Sequence, residues 1–441
     1  MTVPEGWRVR LDPRTQVLDG GRTLITPTGR LLRLGPGAHS AIAALAAGQA
    51  DPRQRRLGRA LLDAGAGHPA PPPLELHDVT IVVPVKDRIE ALGRCLSGLT
   101  GVDVLVVDDG SADPDAVAAV CQAYGASWVR RANGGPAAAR NTALPLLDRD
   151  FVAFVDSDCR PSTAALARLR GHLDDPAVAA AAPRVTGGQR SPLDLGRHPA
   201  RVQPGSAVAY VPTACLMVRR SALTPFDEEL RYGEDVDLVW RLVDQGWQVR
   251  YDPTAEVPHD EPARLLDRLV RRFHYGTSAA PLAKRHPSRL AHLVLPPWPT
   301  AIAGLLLLRK PRLALVVAMA AAVRLDRSVH DVRKSAELVG RSTVATGLGL
   351  GQALALTGPV GWFAARRSRR LTALILAPFL VEWASQRPGG DPLTHAGRGL
   401  LDQAAYGAGV ISGCARHRTV GPLLPRRSRS FAPSAGGRAD H

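Results

Sequence analysis

A chain of 441 residues with 45% hydrophobic side chains is long enough for about two or three domains, each with its own core. Its formal net charge of +16 would suit a nucleic-acid-binding protein, but only 5% of the residues are aromatic and no basic stripe with interleaved aromatic residues is present. We therefore expect no nucleic-acid partner and attribute the charge to a membrane surface and a polyphosphate substrate. The five cysteines are odd in number and lack metal-ligand spacing, so reduced thiols in a cytosolic compartment are expected, without an N-terminal signal peptide.

Residues 1–69 are predicted to form a small α+β domain. Its elements are β-type segments at 23–25 and 30–34 and helices at about 37–47 and 52–64. A linker over residues 70–78 follows, and its prolines at 71–73 make it stiff. Short strands followed by two helices resemble a PqqD-type winged helix, a fold that binds leader segments of ribosomally made peptides. The alternative is a structural N-terminal cap.

The next elements predict a βαβ unit. Residues 79–84 (VTIVVP) are a β-branched run stopped by Pro84, which is typical of a buried parallel strand. A helix starting near Asp87 places Ile89 and Leu92 on its buried side, and a second run, 102–107 (VDVLVV), follows it. The glycine pattern of a Rossmann dehydrogenase does not follow the first strand, which argues against that class.

Acidic residues follow two of the apolar runs. The second run ends at Asp108 and Asp109, and a third run, 151–155 (FVAFV), ends at Asp156 and Asp158. Because ligands of open α/β sheets bind beyond the carboxyl ends of the strands, we expect these clusters to meet at one crevice. Mg²⁺ or Mn²⁺ prefers oxygen ligands and completes its shell with phosphate and water, so two carboxylates one residue apart suffice. Each cluster alone also suits a solvated turn.

A third acidic cluster, Glu234 and Asp235, lies at a predicted helix N-terminus. It follows Gly233 and precedes Val236, Val239, Trp240 and Val243, which recur at helical spacing. The helix dipole at this position favours the ionised carboxylate that a catalytic base requires. Ordinary acidic decoration of a first helical turn is the alternative.

Five motifs in this order resemble family 2 glycosyltransferases of the GT-A fold, over roughly residues 79–260. They are VTIVVPVKDR, VVDDGSAD, GGPAAARNTAL (134–144), FVDSD and YGEDVDLVWRL (232–242). The resemblance implies a catalytic domain over residues 79–290 with a Rossmann-like mixed or parallel sheet. It also implies an inverting, metal-dependent single displacement.

The same resemblance assigns roles to individual residues. The catalytic base is Asp235, with Glu234 beside it. The metal ligands are Asp156, Asp158 and His259, and a surface loop histidine is the alternative for His259. The nucleotide-sugar site is formed by Pro84, Asp87, Asp108, Asp109, Arg140, Asn141 and Asp156.

From residue 291 to 415 the chain is predicted to be apolar, helical and membrane-associated. The segment 342–365 lacks charge and is long enough to span a bilayer, but it contains Pro359 and several glycines, and 371–381 is too short to cross. Clusters of arginine at 309–312 and 366–370 favour the inner face of a cytoplasmic membrane rich in anionic lipid. A helical domain without membrane contact is the alternative. Residues 416–441 are basic and predicted to be disordered.

Taken together, these parts resemble the glycosyltransferases of mycofactocin clusters, with a further match at 273–282 (FHYGTSAAPL). That resemblance implies a UDP-sugar donor, UDP-glucose, and a β-1,4-linked glucan built on a hydroxyl of a peptide-derived redox cofactor, premycofactocin. A precursor peptide or its chaperone is a candidate partner. The alternative is a family 2 glycosyltransferase acting at the membrane on a polyprenyl phosphate or a cell-wall glycan precursor.

Overall fold

The computed structural model describes residues 2–27, 29–187, 191–262, 264–287, 289–290, 293–386 and 390–427. Within it the chain forms two compact units, Met1–Glu261 and Pro262–His441. Most of the tail that the sequence predicts to be disordered, residues 428–441, lies outside the described residues.

The first unit begins with a small α+β region. Its elements are β1 (Arg8–Leu11), β2 (Gln16–Leu18), β3 (Thr23–Ile25), β4 (Leu31–Arg33), α1 (Ala38–Ala47), α2 (Pro52–Asp63) and β5 (Gly67–Ala70). Strands β2, β3 and β4 form an antiparallel sheet, while β5 returns to pair with β1. Helix α2 starts at Pro52 because Asp51 and Gln54 form a reciprocal capping box. The segments predicted as strands and helices occur here, and the PqqD-type identity stays a prediction.

The rest of the first unit is a mixed α/β domain. Its elements are β6 (Val79–Val85), α3 (Ile89–Ser97), β7 (Asp103–Asp108), α4 (Pro114–Ala123), β8 (Ser127–Arg130), α5 (Pro136–Ala143), β9 (Phe151–Val155), α6 (Thr163–His172), β10 (Val178–Thr186), β11 (Ala200–Arg201), β12 (Cys215–Arg219), α7 (Glu234–Asp244) and β13 (Gln248–Pro258). Among the described residues the sheet has eight strands in the order β11-β13-β10-β12-β9-β6-β7-β8.

Strand direction explains where the acidic loops meet. Strand β6 pairs in parallel with both β7 and β9, so the predicted βαβ unit is present and the loops after these strands share one edge. Strand β12 runs antiparallel to β9 and β10, which makes the sheet mixed. The β-branched side chains of β6 are almost wholly buried, as expected for a central strand covered on both faces. This architecture is consistent with the predicted GT-A fold.

The proline segment after β5 lies against helix α6. The backbone N–H of Leu74 donates to the Ala167 carbonyl at 3.0 Å. A Cβ atom at Gly171 would lie 2.2 Å from the Pro72 carbonyl oxygen, so only glycine permits this approach. The segment is therefore packed onto the catalytic domain.

The second unit is mainly helical. Its elements are α8 (Leu265–Thr277), α9 (Ala279–Arg285), β14 (Val294–Leu295), α10 (Pro297–Leu307), α11 (Pro311–Val329), α12 (Val332–Leu356), α13 (Pro359–Ala365), α14 (Arg369–Gln386), α15 (Pro392–Arg416) and β15 (Arg426–Arg427). The uncharged stretch 342–365 is divided, since α12 ends before Gly358, whose φ is 62°, and α13 begins at Pro359. None of the helices in the described ranges has the length and apolar character needed to cross a membrane.

Helices α8 and α9 belong to this second unit, although the sequence placed residues up to 290 with the catalytic domain. The reason is close packing of α8 on α15. A Cβ atom at Gly276 would lie 2.1 Å from the Tyr406 carbonyl oxygen, and one at Gly409 would lie 2.0 Å from that of Phe273. The 273–282 tract thus contains a helix-packing surface that depends on small residues.

Candidate active site

Arg140 on helix α5 joins two of the predicted acidic clusters. One guanidinium nitrogen, Nη1, donates to Glu234 Oε1 at 2.8 Å, and the other, Nη2, donates to Asp156 Oδ1 at 2.7 Å. The arginine is 2% exposed, so both are buried, charge-assisted hydrogen bonds. The structure therefore brings together the loop after β9 and the start of α7.

Asp235 is the second residue of α7, which begins with Glu234 directly after Gly233. The glycine has a φ of 85°, a left-handed conformation that turns the chain into the helix. Burial, together with the neighbouring charge of Glu234, raises the pKa of Asp235 to about 7. A carboxyl group that titrates near neutral pH can both accept a proton and release it, which suits a general base.

The rest of this cluster also has more negative charge than its arginine balances. Burial raises the pKa of Asp156 and of Glu234 above their usual ranges, even though Arg140 lies beside both. The site thus favours the arrival of positive charge, or of a proton, near Asp156.

Asp158 contacts two cationic side chains. Nη1 of Arg88 donates to Asp158 Oδ2, and His259 Nε2 lies 3.5 Å from the same oxygen. Although burial alone would lower it, the nearby carboxylates of Asp158 and Glu261 raise the pKa of His259 to about 9. His259 is 6% exposed and contacts the acidic loop, so it is not a surface histidine. As a ligand to a divalent cation, His259 would have to release its proton on binding, so its metal role stays a prediction.

The donor chemistry of Asp156 and Asp158 fits a hard divalent cation. Over the described ranges, three or more His, Cys, Asp or Glu side chains are nowhere grouped so as to hold a metal ion. Two carboxylates one residue apart suit Mg²⁺ or Mn²⁺ only when phosphate oxygens and water supply the remaining ligands. Asp156 and Asp158 could therefore hold the ion together with a diphosphate.

The other predicted nucleotide-site aspartates hold the loops that border the crevice. Asp109 accepts hydrogen bonds from the backbone N–H groups of Gly134 at 2.9 Å and Gly135 at 2.7 Å. Asp108 is fully buried and accepts from the Ser111 N–H at 2.8 Å. The Asp109 contacts fix the N-terminus of α5, which carries Arg140, while the Asp108 contact holds the loop after β7.

Pro84, Asp87 and Asn141 complete the predicted nucleotide-site set. Pro84 lies on β6 opposite Val107. Asp87 borders the crevice and accepts from the Ala112 N–H at 2.7 Å. Asn141 uses both ends of its amide on the backbone of Phe226, accepting from the N–H at 2.8 Å and donating to the carbonyl at 2.9 Å. Asn141 thus fastens the segment that precedes α7 to helix α5.

The sequence did not single out Arg88 or Phe226. Arg88 follows Asp87 directly in the VPVKDR motif, so its place after a strand end was a usable signal. Phe226 lies 85 residues from Asn141, and its ring lies 5.5 Å from the Arg140 guanidinium carbon, a contact that no local pattern reveals.

A mixed sheet with acidic loops at its carboxyl edge and a titratable carboxylate at a helix N-terminus fits a glycosyltransferase. The model of glycosyl transferase family 2 matches residues 80–223. Pre-mycofactocin glycosyltransferases of two Mycobacterium tuberculosis strains are each 38% identical to this chain over 466 aligned positions, covering 96% of it and 98% of the relative. The chain belongs to this family of pre-mycofactocin glycosyltransferases.

More distant similarities cover about half of the chain. An N-acetylglucosaminyltransferase of Bradyrhizobium diazoefficiens is 28% identical over 45% of this chain and 48% of its own length. A crystal structure of S. aureus TarS matches 48% of this chain and 43% of that chain with 18% identity and a TM-score of 0.37, which is too low to inform the fold.

Proposed function

We propose that the enzyme transfers glucose from UDP-glucose to a hydroxyl group of premycofactocin, a peptide-derived redox cofactor, and extends a β-1,4-linked glucan. The name of the Mycobacterium tuberculosis relatives supports the acceptor. The sugar and its linkage rest on the resemblance of the 232–242 and 273–282 motifs to the same family.

The observation that carries the catalytic assignment is the position and titration of Asp235. A carboxyl group with a pKa of about 7 is partly ionised at neutral pH and takes up a hydroxyl proton more readily than an ordinary aspartate. We assign Asp235 as the base that deprotonates the acceptor, whose oxygen then attacks the anomeric carbon. Since a single base works opposite the leaving group, the configuration inverts.

The residues around Asp235 position the reacting groups. Arg140 binds Glu234, which lies beside the base, and Asp156, which we place on the side of the sugar donor. One guanidinium group therefore sets the distance between Glu234 and Asp156. Mg²⁺ or Mn²⁺ held by Asp156 and Asp158 would neutralise the negative charge of the departing nucleoside diphosphate. Loops fixed by Asp108 and Asp109 border the place proposed for the nucleotide.

The Asp235→Asn variant tests the catalytic assignment. The amide keeps the size of the side chain but cannot take the proton, so we expect transfer to fall by at least about a hundredfold while UDP affinity changes little. Calorimetry with UDP and a product assay would be run on the same sample. Asp244→Asn, at the opposite end of α7, is the matched control.

Three results would change the proposal. Near-normal transfer by Asp235→Asn would move the base to Glu234 or Asp237. Loss of UDP binding would place the cluster in the donor site. If mass spectrometry with several UDP-sugars showed product on a polyprenyl phosphate or a cell-wall precursor but not on premycofactocin, the alternative acceptor would replace the proposed one.

The proposal also includes two partners. Exposed Leu313, Leu315 and Val316 on α11 follow the basic segment 309–312, which supports association with the anionic inner face of the cytoplasmic membrane. Sedimentation with phosphatidylglycerol vesicles, compared with phosphatidylcholine vesicles, tests this association.

We also propose that residues 1–69 bind a precursor peptide or its chaperone. A pull-down with and without these residues tests that binding.

A further inference from the structure

Arg88 connects the two loops that border the donor side of the crevice. It is the last residue before α3, and its guanidinium donates to Asp158 in the loop after β9. The Arg88 side chain is 50% exposed, whereas that of Asp158 is 11% exposed. The arginine therefore reaches a nearly buried carboxylate from the solvent side and can leave it without disturbing the core.

The backbone before Arg88 is held in an uncommon conformation. Asp87 has a φ of 56°, in the left-handed region that non-glycine residues seldom adopt. Two hydrogen bonds to the loop after β7 hold it there. The Asp87 N–H donates to Ser111 Oγ at 3.0 Å, and its Oδ1 accepts from the Ala112 N–H at 2.7 Å. The position of Arg88 is thus tied to the loop that follows Asp108 and Asp109.

The second basic side chain beside Asp158, that of His259, is placed differently. Its side chain is 3% exposed and lies between the carboxylates of Asp158 and Glu261, whereas the Arg88 side chain is half exposed. Of the two, Arg88 is the partner that can exchange.

We propose that Arg88 is a placeholder cation, which neutralises Asp158 while the donor site is empty and gives up that carboxylate when a divalent cation and a nucleoside diphosphate arrive together. This inference rests on the proposed metal-dependent transfer. A guanidinium pairs well with phosphate oxygens, so the incoming diphosphate offers Arg88 a replacement partner. The metal alone offers none, and it must displace the arginine. Cation and nucleotide therefore bind cooperatively.

Titration of the full-length protein with Mn²⁺, followed by the electron paramagnetic resonance of the free ion, tests the inference with and without UDP. In the unchanged protein we expect weak Mn²⁺ binding alone and much tighter binding with UDP. In Arg88→Gln we expect Mn²⁺ alone to bind at least tenfold more tightly and UDP to add much less. Arg94→Gln is the control. It removes an arginine on α3, the helix that Arg88 precedes, but Arg94 contacts Asp260 and not Asp158.

Two outcomes overturn the inference, and they can be told apart. Unchanged or weaker binding of Mn²⁺ alone in Arg88→Gln, with UDP-dependent binding intact in the unchanged protein, removes the placeholder role and leaves the metal proposal standing. Absence of Mn²⁺ binding in the unchanged protein even with saturating UDP removes both. Thermal unfolding of each variant confirms that the comparison is made between folded proteins.

Discussion

Two buried arginines in the first unit each bridge a pair of carboxylates, but their surroundings have opposite charge. Arg140 lies between Asp156 and Glu234, with Asp235 next to them, and burial raises the pKa of these carboxyl groups. Arg59 on α2 contacts Asp63 and Asp175. There, further arginines are close enough to affect each other's titration. The first cluster carries an excess of negative charge, while the second carries an excess of positive charge.

The second cluster joins the N-terminal region to the catalytic sheet. Asp175 precedes β10, and Gln248 on β13 donates to Asp63 Oδ1 at 2.8 Å. Arg250 on β13 lies opposite Arg201 on β11 in the antiparallel pairing. Burial, together with the charge of Arg201, lowers the pKa of Arg250 to about 10. The positive excess is therefore a cost to the fold that the contacts of α2 offset.

The largest effect that would break this comparison is expected at Arg59. In Arg59→Met, Asp175, which is 1% exposed, loses its closest cationic partner, so the free energy of unfolding should fall by about 3 kcal/mol. Urea unfolding measures this, with Arg56→Met on the same helix as an exposed control. A loss well below about 1 kcal/mol would show that the remaining arginines compensate for Arg59.

A smaller effect sharpens the description of the Arg140 cluster through pH. Because Asp235 must be ionised to accept a proton, kcat/KM should rise with pH through an acidic limb near pH 7. In Glu234→Gln the neighbouring negative charge is gone, so the pKa of Asp235 should fall and the limb should move to lower pH by about one unit. A limb that does not move would mean that another group controls it.

Within the Arg59 cluster, Arg250→Met should change the stability in the opposite direction to Arg59→Met. Burial lowers the pKa of Arg250, which means that the folded state disfavours the charged side chain. At neutral pH Arg250 is charged in both states, so its charge destabilises the folded state relative to the unfolded one. Arg250→Met should therefore stabilise the protein by about 1 kcal/mol, seen as a rise of a few degrees in Tm. A clear loss of stability would contradict the positive excess assigned to this cluster.

The sequence predicted the elements that depend on local patterns. The runs at 79–84, 102–107 and 151–155 are strands because apolar residues, mainly β-branched or aromatic, fill the central part of the sheet. The placement of Glu234 and Asp235 at a helix N-terminus also followed from local spacing. Glycosyltransferase class and family followed from motifs in combination, and the comparisons confirm them.

Contacts between distant residues were beyond sequence patterns. Arg59 and Asp175 are 116 residues apart, and neither belongs to a motif. Asn141 is hydrogen-bonded to the Phe226 backbone, and Asp109 to the backbone of Gly134 and Gly135. These hydrogen bonds depend on loop geometry that sequence spacing alone does not determine. The hydropathy pattern also does not predict the close packing of α8 on α15 at glycines. That packing places α8 in the second unit, so the first unit ends at Glu261.

The packed proline segment changes how a ligand of the N-terminal region would meet the catalytic domain. A flexible tether creates an effective concentration that depends on its length, often in the millimolar range. Here Pro72 packs against Gly171, and the Leu74 N–H is hydrogen-bonded to the Ala167 carbonyl. The segment is therefore not a flexible tether. Together with the buried Arg59–Asp175 contact, this segment fixes the orientation in which the N-terminal region presents a ligand, so residues inserted after Pro73 alone would leave that orientation in place.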